Sequence, residues 1–306
     1  MNKMKAVLLT IMVVVLAAGG LAAAFVSQSM NYKNLMDVPG AGIAEAGDNY
    51  QQEIGAPTNV VNILFLGIDR TEERDGWLGI YRSDTIAIVR MDLDSKKIKV
   101  LNIPRDTYCY LPVRGGYDKI NHAYAYGSLE GKAIEATIEA IHAYMGRECI
   151  DYYFSLDMEP IPTIVDDLGG VSLDVEIEMK DHGANLDRGL QLLNGQQVFD
   201  YIHWRYSPGG DIDRIIRQQK FMRTFFQQQR DKGKLLETLH VVLKNEVNIE
   251  KDLTMKQLLG LVYFLKGVPG GSITYYTFLG EGQNINGIDY WIPEDKEGVI
   301  NQFLGT

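Results

Sequence analysis

Three apolar segments between residues 59 and 104 constrain the fold more than any other part of the sequence. The first, NVVNILFLGI, is a nearly continuous apolar run, which is typical of a strand buried on both faces of a sheet. DTIAIVRMD and KIKVLNIP have the composition of two further strands, and only the turn residues LDSK separate them. Because so short a connection joins antiparallel neighbours, the predicted sheet cannot be wholly parallel.

The rest of the chain alternates predicted helices with predicted strands. GKAIEATIEAIHAYM and NGQQVFDYIHW have helical character, and Asn194 is a suitable N-cap for the second. Further helices are predicted at about 235–244 and 255–265, and the remaining strands are DYYFSL, GVSLDVE and SITYYTFLG. This alternation predicts a three-layer α/β/α sandwich with a central mixed sheet.

The N-terminus predicts a membrane anchor ahead of this domain. Lys3 and Lys5 precede Ala6–Val26, which carries no charge. At about 1.5 Å per residue, a helix of this length crosses a bilayer once. Positive charge before the span places residues 1–5 in the cytoplasm and the bulk of the chain outside the cell membrane. A cleaved signal peptide is the alternative, because LAAAF offers small residues for cleavage.

Composition defines the rest of the organisation. Residues 27–57 are rich in Gly, Ala, Asn and Gln and are interpreted as an extracellular linker, so the globular domain is residues 58–306. A formal net charge of −10 argues against a nucleic-acid-binding protein, which needs a basic face. Cys109 and Cys149 are too few for a disulfide framework, and we expect two unpaired thiols.

Charged residues stand at the ends of the first three predicted strands. If these strands run up, down and up, one edge of the sheet collects Asp69, Arg82, Asp84, Arg105 and Asp106. Paired carboxylates bind Mg²⁺ with help from phosphate oxygens, and arginine binds phosphate through two parallel hydrogen bonds. The sequence therefore predicts a phosphate and metal site at this edge. The alternative is that Arg82 and Asp84 simply form an ion pair at a strand end.

A second group of charges lies in the stretch YIHWRYSPGGDIDRIIRQQKF. A helix is predicted from about Arg214 to Gln229, with Asp211 or Asp213 as its N-cap. Arg214 and Arg217 would then lie on one face of the first turn, where the helix dipole is already positive. Two arginines there favour an anionic ligand such as phosphate. The alternative is that the two aspartates neutralise both arginines.

The order of the motifs resembles that of one known family. NILFLGID, RSDTIAIV, IPRDTY, KINHAYAYGS, LGGVSLDVE, LNGQQVFDYIHWR and GDIDRIIRQQKF follow one another, and FLGEGQNINGIDYWIPED ends the series. Single blocks carry little weight, but seven in order are highly specific. The chain is similar, from about Val60 to its C-terminus, to the LytR–CpsA–Psr family of cell-wall enzymes.

This resemblance implies a function at the bacterial cell envelope. Members of the family are single-pass, membrane-anchored phosphotransferases with an external catalytic domain, here residues 58–306. They move a glycopolymer of the teichoic acid or capsule type from a polyprenyl-pyrophosphate carrier to a peptidoglycan hydroxyl, which leaves a phosphodiester. The expected partners are therefore the lipid-linked glycopolymer, peptidoglycan and the membrane, and no nucleic acid.

The resemblance also assigns roles to individual residues. Asp69 and Asp84 correspond to the aspartates associated with Mg²⁺, a site that could also take Mn²⁺. The expected phosphate- and pyrophosphate-binding residues are Arg82, Arg105, Arg205, Arg214, Arg217 and Gln218. The expected catalytic residues are Arg105, Asp84, Asp106 and Asp211. Any of these three aspartates could be the base for the incoming hydroxyl, and the sequence does not choose between them.

Two positions depart from the family pattern. His203 stands where arginine is common, two residues before Arg205, and Asp213 stands where glycine is common. Both changes reduce the positive charge around the late helix. The strength of phosphate binding and the identity of the polymer therefore stay open, while the core of the phosphate site is retained.

Two other functions are compatible with the same residues. One is an envelope-associated transcriptional attenuator, although the predicted membrane span and the acidic body argue against direct contact with DNA. The other is a hydrolase of the polyprenyl pyrophosphate, in which water replaces the sugar hydroxyl. The choice between water and a sugar depends on the shape of the acceptor groove, which the sequence does not reveal.

The predicted topology can be tested on intact cells. Because positive charge precedes the uncharged span, external protease should degrade the body of the protein while its first residues stay protected. Immunoblotting with tags at both termini would follow this. Protection of the body until lysis would reverse the orientation, and loss of about the first two dozen residues from the mature protein would indicate a cleaved signal peptide.

Overall fold

The computed structural model describes residues 59–70, 81–157, 159–244, 249–269 and 271–305, and within these it leaves out the side chains of residues 211, 212 and 215. The strands are β1 (Val60–Asp69), β2 (Arg82–Asp92), β3 (Lys97–Asn102), β4 (Tyr108–Leu111), β5 (Gly116–Lys119), β6 (Tyr152–Asp157), β7 (Val171–Val175), β8 (Gly189–Leu193), β9 (Ile249–Lys251), β10 (Ile273–Thr277), β11 (Gly280–Ile285) and β12 (Ile288–Pro293). The helices are α1 (His122–Ser128), α2 (Ala133–Met145), α3 (Ile161–Asp167), α4 (Gly195–His203), α5 (Gly210–Asp231), α6 (Leu235–Leu243), α7 (Met255–Lys266) and α8 (Lys296–Leu304).

A six-stranded mixed sheet forms the centre, with the strand order β10-β3-β2-β1-β6-β9. β2 is antiparallel to both β1 and β3, so the first three strands run up, down and up as predicted. β6 joins β1, and β10 joins β3, in parallel pairs. The prediction of a mixed α/β fold is confirmed, because the tight turn after β2 forces an antiparallel pair while the helical crossovers allow parallel ones.

Helices cover both faces of this sheet. Side chains alternate along β1, so Leu64 and Leu66 pack with α2 and α8, whereas Val61 and Ile63 pack with α7. A strand that buries both faces needs apolar residues at almost every position. The continuous apolar run of the first strand follows from this arrangement.

Three two-stranded hairpins lie outside the central sheet: β4 with β5, β7 with β8, and β11 with β12. GVSLDVE forms a strand as predicted, but it pairs with β8 and packs its buried face on α4 and α5. The other two hairpins follow β3 and β10 in the chain and were not predicted. Their strands are short, and β5 (GYDK) and β11 (GEGQNI) consist largely of Gly and polar residues, a composition typical of loops.

The helices that border the candidate site begin differently. The predicted N-cap of α4 is confirmed, since Asn194 and Gln197 form a reciprocal capping box. Helix α5 begins at Gly210, four residues earlier than predicted, and no side chain caps it at Gly209. Asp213 instead reaches back from the first turn to accept a hydrogen bond from the Gly209 N–H. Arg214 therefore lies one turn inside the helix.

The predicted span Ala6–Val26 and the linker at 27–57 fall outside the described residues. Among the helices named above, none is long and apolar enough to cross a bilayer. Both cysteines are buried and unpaired, as expected. Burial raises the pKa of Cys109 to about 12 and that of Cys149 to about 11, so neither thiol is reactive at neutral pH.

Candidate active site

A β-bulge places Asp84 at the edge of the central sheet. Gly67 on β1 faces Thr85 on β2, whereas Ile68 faces Ser83, so Asp84 is an extra residue with no partner on β1. Ser83 and Asp84 are consequently both buried, which breaks the alternation of the strand. A bulge of this kind re-aims a side chain at the end of a strand. Here it turns a carboxylate towards the loops and helices beyond β3.

Three arginines from distant parts of the chain converge on that carboxylate. The Asp84 Oδ2 atom lies 2.6 Å from Arg105 Nη1, 3.4 Å from Arg205 Nη2 and 3.5 Å from Arg214 Nη1. Arg105 follows β3, Arg205 follows α4 and Arg214 lies in α5. These four residues are called the Asp84 cluster below. The sequence placed all four in the site, and the structure brings them together.

Exposure of the arginines increases across the cluster. The Arg214 side chain is 1% exposed, that of Arg105 is 17% exposed, and that of Arg205 is 44% exposed. The cluster is thus closed on the side of α5 and open to solvent on the side of Arg205. An anion entering from solvent would meet Arg205 first and the two better-packed arginines behind it.

The cluster keeps Asp84 ionised. Burial alone would raise the pKa of this carboxyl, but the charges of Arg105 and Arg214, and the hydrogen bond from Arg105, outweigh burial and lower the pKa below its ordinary value. Guanidinium groups outnumber carboxylates in the cluster. An arrangement of this kind attracts phosphate, which accepts paired hydrogen bonds from the same planar groups.

The predicted convergence of strand ends is also observed for Asp69 and Arg82. Their Cα atoms are partners in the last register position of β1 and β2. Asp69 is half-buried, whereas Arg82 is exposed. Both residues therefore lie at the same edge as Asp84, and among the described residues no ion pair joins Arg82 to Asp84. Burial lowers the pKa of His122, and the charge of Arg82 lowers it further.

His203 lies beside the cluster. Its Nδ1 atom lies 2.8 Å from the Phe199 carbonyl oxygen, so Nδ1 carries the proton that is donated. Burial lowers the pKa of His203, and the charge of Arg214 lowers it further. The hydrogen bond to Phe199 and the charges of Asp84 and Asp69 raise the pKa, but they do not outweigh burial. The histidine is therefore neutral at pH 7. It contributes no cation where the family pattern commonly has one.

Arg217 and Gln218 follow Arg214 in the stretch RIIRQQ, residues 214–219, which is called the RxxRQQ stretch below; both contact partners outside the Asp84 cluster. Arg217 is buried and donates to the Trp204 carbonyl at 2.5 Å and to Ser207 Oγ at 3.2 Å, with Glu176 at 3.6 Å. These contacts hold the loop that carries Arg205. Sequence reasoning did not find Glu176, because nothing in its local pattern separates it from an ordinary surface glutamate. The phosphate-binding role of Arg217 stays a prediction.

Gln218 lies between α5, β2 and α4. Its amide oxygen is 3.4 Å from Thr85 Oγ1, and its amide nitrogen donates to the Ile202 carbonyl at 3.3 Å. Thr85 directly follows Asp84 in the chain. Gln218 therefore lies next to the cluster, and both of its hydrogen bonds are long enough for a ligand to compete for them.

Asp106 and Asp211 are the other two candidate bases. Asp106 directly follows Arg105, and its carboxylate lies 3.5 Å from Arg105 Nε and 2.9 Å from Lys119 Nζ. Its side chain is 27% exposed, so solvent and an incoming hydroxyl can reach it. Asp211 has its backbone in the first turn of α5, but its side chain is outside the described part of the structure.

Comparison with known proteins identifies the family of the chain. The model of the LytR_cpsA_psr family matches residues 31–302, which is most of the chain. The chain belongs to the LytR_cpsA_psr family. A similar protein from Oceanobacillus iheyensis, a polyisoprenyl-teichoic acid–peptidoglycan teichoic acid transferase named TagU, is 32% identical over 241 residues, which are 78% of this chain and 73% of that relative.

Solved structures share the fold of this family member. The crystal structure of B. subtilis TagV has a TM-score of 0.66 at 24% identity, and the match covers 81% of this chain and 98% of TagV. A structure of TagT bound to LIIa-WTA has a TM-score of 0.61 at 22% identity, with 83% and 94% covered. At these identities, the likeness establishes the architecture, while the site rests on the geometry described above.

Replacement of Asp84 by Asn should destabilise the protein in a pH-dependent way. At pH 7 the variant removes the buried carboxylate that Arg105, Arg205 and Arg214 share, and we expect a loss of about 3–5 kcal/mol in the free energy of unfolding. Because the folded-state pKa of Asp84 lies below 3.8, its stabilisation is fully present above about pH 5 and is lost as the pH falls through that lower value.

Urea denaturation of wild type and Asp84→Asn between pH 3 and pH 8 would measure this effect. The difference between the two proteins should be constant from about pH 5 upwards and should shrink below about pH 4. Asp106→Asn, which removes a partly exposed carboxylate next to the cluster, is the control and should cost less than about 1 kcal/mol. An equal difference at pH 3 and pH 7 would contradict the interpretation.

Proposed function

We propose that this protein is a phosphotransferase that moves a glycopolymer of the teichoic acid type from a polyprenyl-pyrophosphate carrier to a hydroxyl group of peptidoglycan. The product is a phosphodiester, and the lipid leaves as polyprenyl phosphate. The observation that carries the proposal is the convergence of Arg105, Arg205 and Arg214 on the buried carboxylate of Asp84. The similarity to a relative named as such a transferase supports it.

Arginines suit this chemistry because the reaction changes charge on phosphoryl oxygens. As the bond to the leaving phosphate breaks, negative charge grows on oxygens that guanidinium groups can hold through short hydrogen bonds. Asp84 binds no phosphate itself. Its role is to hold the guanidinium groups of Arg105 and Arg214 in place before the substrate arrives, so that little reorganisation is needed during the reaction.

The incoming hydroxyl benefits from a base, and Asp106 is better suited to this role than Asp84. Three guanidinium groups contact Asp84, and its lowered pKa makes it a weak proton acceptor. Asp106 is partly exposed and adjoins Arg105, so a hydroxyl bound beside the phosphate could reach it. In this proposal Asp106 takes the proton while Arg105 stabilises the phosphoryl oxygens.

A divalent cation is part of the proposal. The described residues contain no group of three or more His, Cys, Asp or Glu that could hold a metal. Asp69 and Asp84 fit Mg²⁺, or Mn²⁺, only if phosphate oxygens and water complete the coordination, which is how Mg²⁺ commonly binds. Asp69 and Asp84 would be the protein ligands of this cation. When bound, the metal would neutralise charge on the phosphoryl oxygens.

The location follows from the same reasoning. A transferase of this kind needs its lipid carrier in the membrane and its acceptor in the wall. Single-pass anchoring through Ala6–Val26, with residues 58–306 outside the cell, would place the Asp84 cluster between them.

The arginine cluster can be tested by binding of polyprenyl phosphate to the full-length protein in detergent. Arg105→Ala should reduce affinity by about tenfold or more, because a charge-assisted contact contributes about 1.5–3 kcal/mol. Arg105→Lys should recover little, since lysine lacks the planar pair of donors. Arg114→Ala, whose arginine pairs with Asp118 instead, is the matched control. Wild-type affinity in Arg105→Ala would place the phosphate elsewhere.

A transfer assay separates the proposed activity from its alternatives. The full-length protein is incubated with a polyprenyl-pyrophosphate oligosaccharide, a peptidoglycan fragment and Mg²⁺. We expect a phosphodiester-linked product and free polyprenyl phosphate, and Asp84→Asn should lower the rate at least about a hundredfold because the arginines lose their anchor. A phosphorylated sugar without adduct would indicate a hydrolase, and no turnover would favour a regulator. Full activity in excess EDTA would refute the metal assignment.

A further inference from the structure

The β4–β5 hairpin presents a face of aromatic side chains to solvent. Tyr110 on β4 faces Tyr117 on β5 in the register, and Tyr108 lies two residues before Tyr110 on the same face. The tyrosine platform is defined here as Tyr108, Tyr110 and Tyr117. The opposite face of the hairpin is buried and carries Cys109, Leu111 and Asp118.

The three rings form one continuous surface. The Tyr108 and Tyr117 rings stack with centroids 5.2 Å apart, and the Tyr110 ring meets the Tyr117 ring edge-on at 5.6 Å. Tyr290 from β12 supports Tyr108 from the side, with an edge contact at 4.8 Å. Tyr110 is 41% exposed and Tyr117 is 59% exposed. Adjacent exposed aromatic rings of this kind mark a surface that binds a partner.

Internal hydrogen bonds hold the platform rigidly. The buried carboxylate of Asp118 accepts from Arg114 Nη1 at 2.6 Å, from the Lys119 backbone N–H at 2.8 Å and from His122 Nδ1 at 3.1 Å. These contacts tie the hairpin to α1. Burial alone would raise the pKa of Asp118, but the hydrogen bonds from the Lys119 backbone N–H and from His122 lower it, so the carboxylate stays ionised and the network persists at neutral pH. A rigid surface loses little conformational entropy on binding.

The platform is continuous with the Asp84 cluster. Arg105 contacts Asp84 on one side and Asp106 on the other, and Asp106 pairs with Lys119 Nζ at 2.9 Å. Lys119 faces Tyr108 in the hairpin register. At about 3.4 Å per residue along a strand, Tyr110 lies at most about 14 Å of chain beyond Asp106. The platform thus begins next to the candidate base and leads away from the phosphate site.

We infer that the tyrosine platform binds sugar rings of the acceptor glycan strand and thereby presents its hydroxyl to Asp106. This rests on the proposed function. A pyranose ring has an apolar C–H face that packs on an aromatic ring, and its rim of hydroxyls can hydrogen-bond to phenol groups. In the described ranges, the hydroxyls of Tyr110 and Tyr117 make no hydrogen bond to protein and are available for this.

Charge favours the acceptor strand over the donor polymer as the occupant. The basic residues beside the platform, Arg114 and Lys119, are in ion pairs with Asp118 and Asp106. The surface therefore offers rings and hydroxyls without a cationic excess, which suits an amino-sugar backbone better than a chain of anionic phosphates. Lipid is the poorer match as well, because exposed aliphatic residues such as Leu190 and Leu192 lie elsewhere, on β8.

The test measures binding and transfer separately on the full-length protein in detergent. Binding of a neutral β-1,4-linked N-acetylglucosamine oligosaccharide is followed by calorimetry without any donor. Tyr117→Ala and Tyr110→Ala should each weaken this binding about three- to tenfold, and should raise KM for the peptidoglycan fragment by a similar factor with KM for the donor and kcat unchanged. Tyr117→Phe, which keeps the ring, should stay within about twofold of wild type.

Met255→Ala is the matched control, because Met255 is 55% exposed on α7, which packs on the opposite face of the sheet. It should leave both measurements unchanged, and thermal denaturation should show every variant folded. Unchanged oligosaccharide binding and acceptor KM in both alanine variants would overturn the platform while transfer itself stands. A raised donor KM with an unchanged acceptor KM would overturn it by assigning the surface to the donor polymer. If the wild type transfers nothing, the proposed function fails, whereas loss of oligosaccharide binding in Tyr117→Ala would still support a sugar-binding surface.

Discussion

The ionised carboxylate of Asp84 can be buried only because guanidinium groups from three separate segments reach it. A lone buried carboxylate would become protonated, and the arginines without it would repel one another. The contact therefore fixes more than one side chain. It joins the start of β2, the loop after β3, the loop after α4 and the second turn of α5, which are otherwise far apart in the sequence. The site and the position of α5 beside β2 depend on the same charge balance.

Support behind the cluster comes from a second group of polar contacts. Glu176 accepts from Tyr201 at 2.8 Å and from Lys220 at 3.0 Å, and it faces Arg217. Arg217 in turn holds the carbonyl of Trp204, the residue before Arg205. The two arginines of the RxxRQQ stretch therefore have different roles. Arg214 belongs to the Asp84 cluster, whereas Arg217 holds the loop that positions Arg205 in the cluster.

Much of this could be predicted from the sequence, for identifiable reasons. Strand identity and direction followed from a continuous apolar run and a four-residue turn, and those two features were sufficient to bring Asp84 and Arg105 to one edge. The start of α5 was placed too late, because Asp213 has the character of an N-cap but acts from inside the first turn. The contact of Arg217 with Glu176 joins residues 41 positions apart, and the tyrosine hairpin consists of two strands of four residues each. No local pattern encodes either feature.

The extra residue in β2 has a consequence for how such a protein can change. After the bulge, from Thr85 onwards, successive side chains of β2 point alternately into the two cores on either side of the sheet. Before the bulge, the extra residue shifts this alternation by one, so the side chains at the edge of the sheet are oriented independently of those in the cores. Substitutions or small insertions at the tip can therefore reorient charges without moving any core side chain to the wrong face. Selection for a new polymer can therefore change the first residues of β2 while the rest of the strand keeps its packing in the cores.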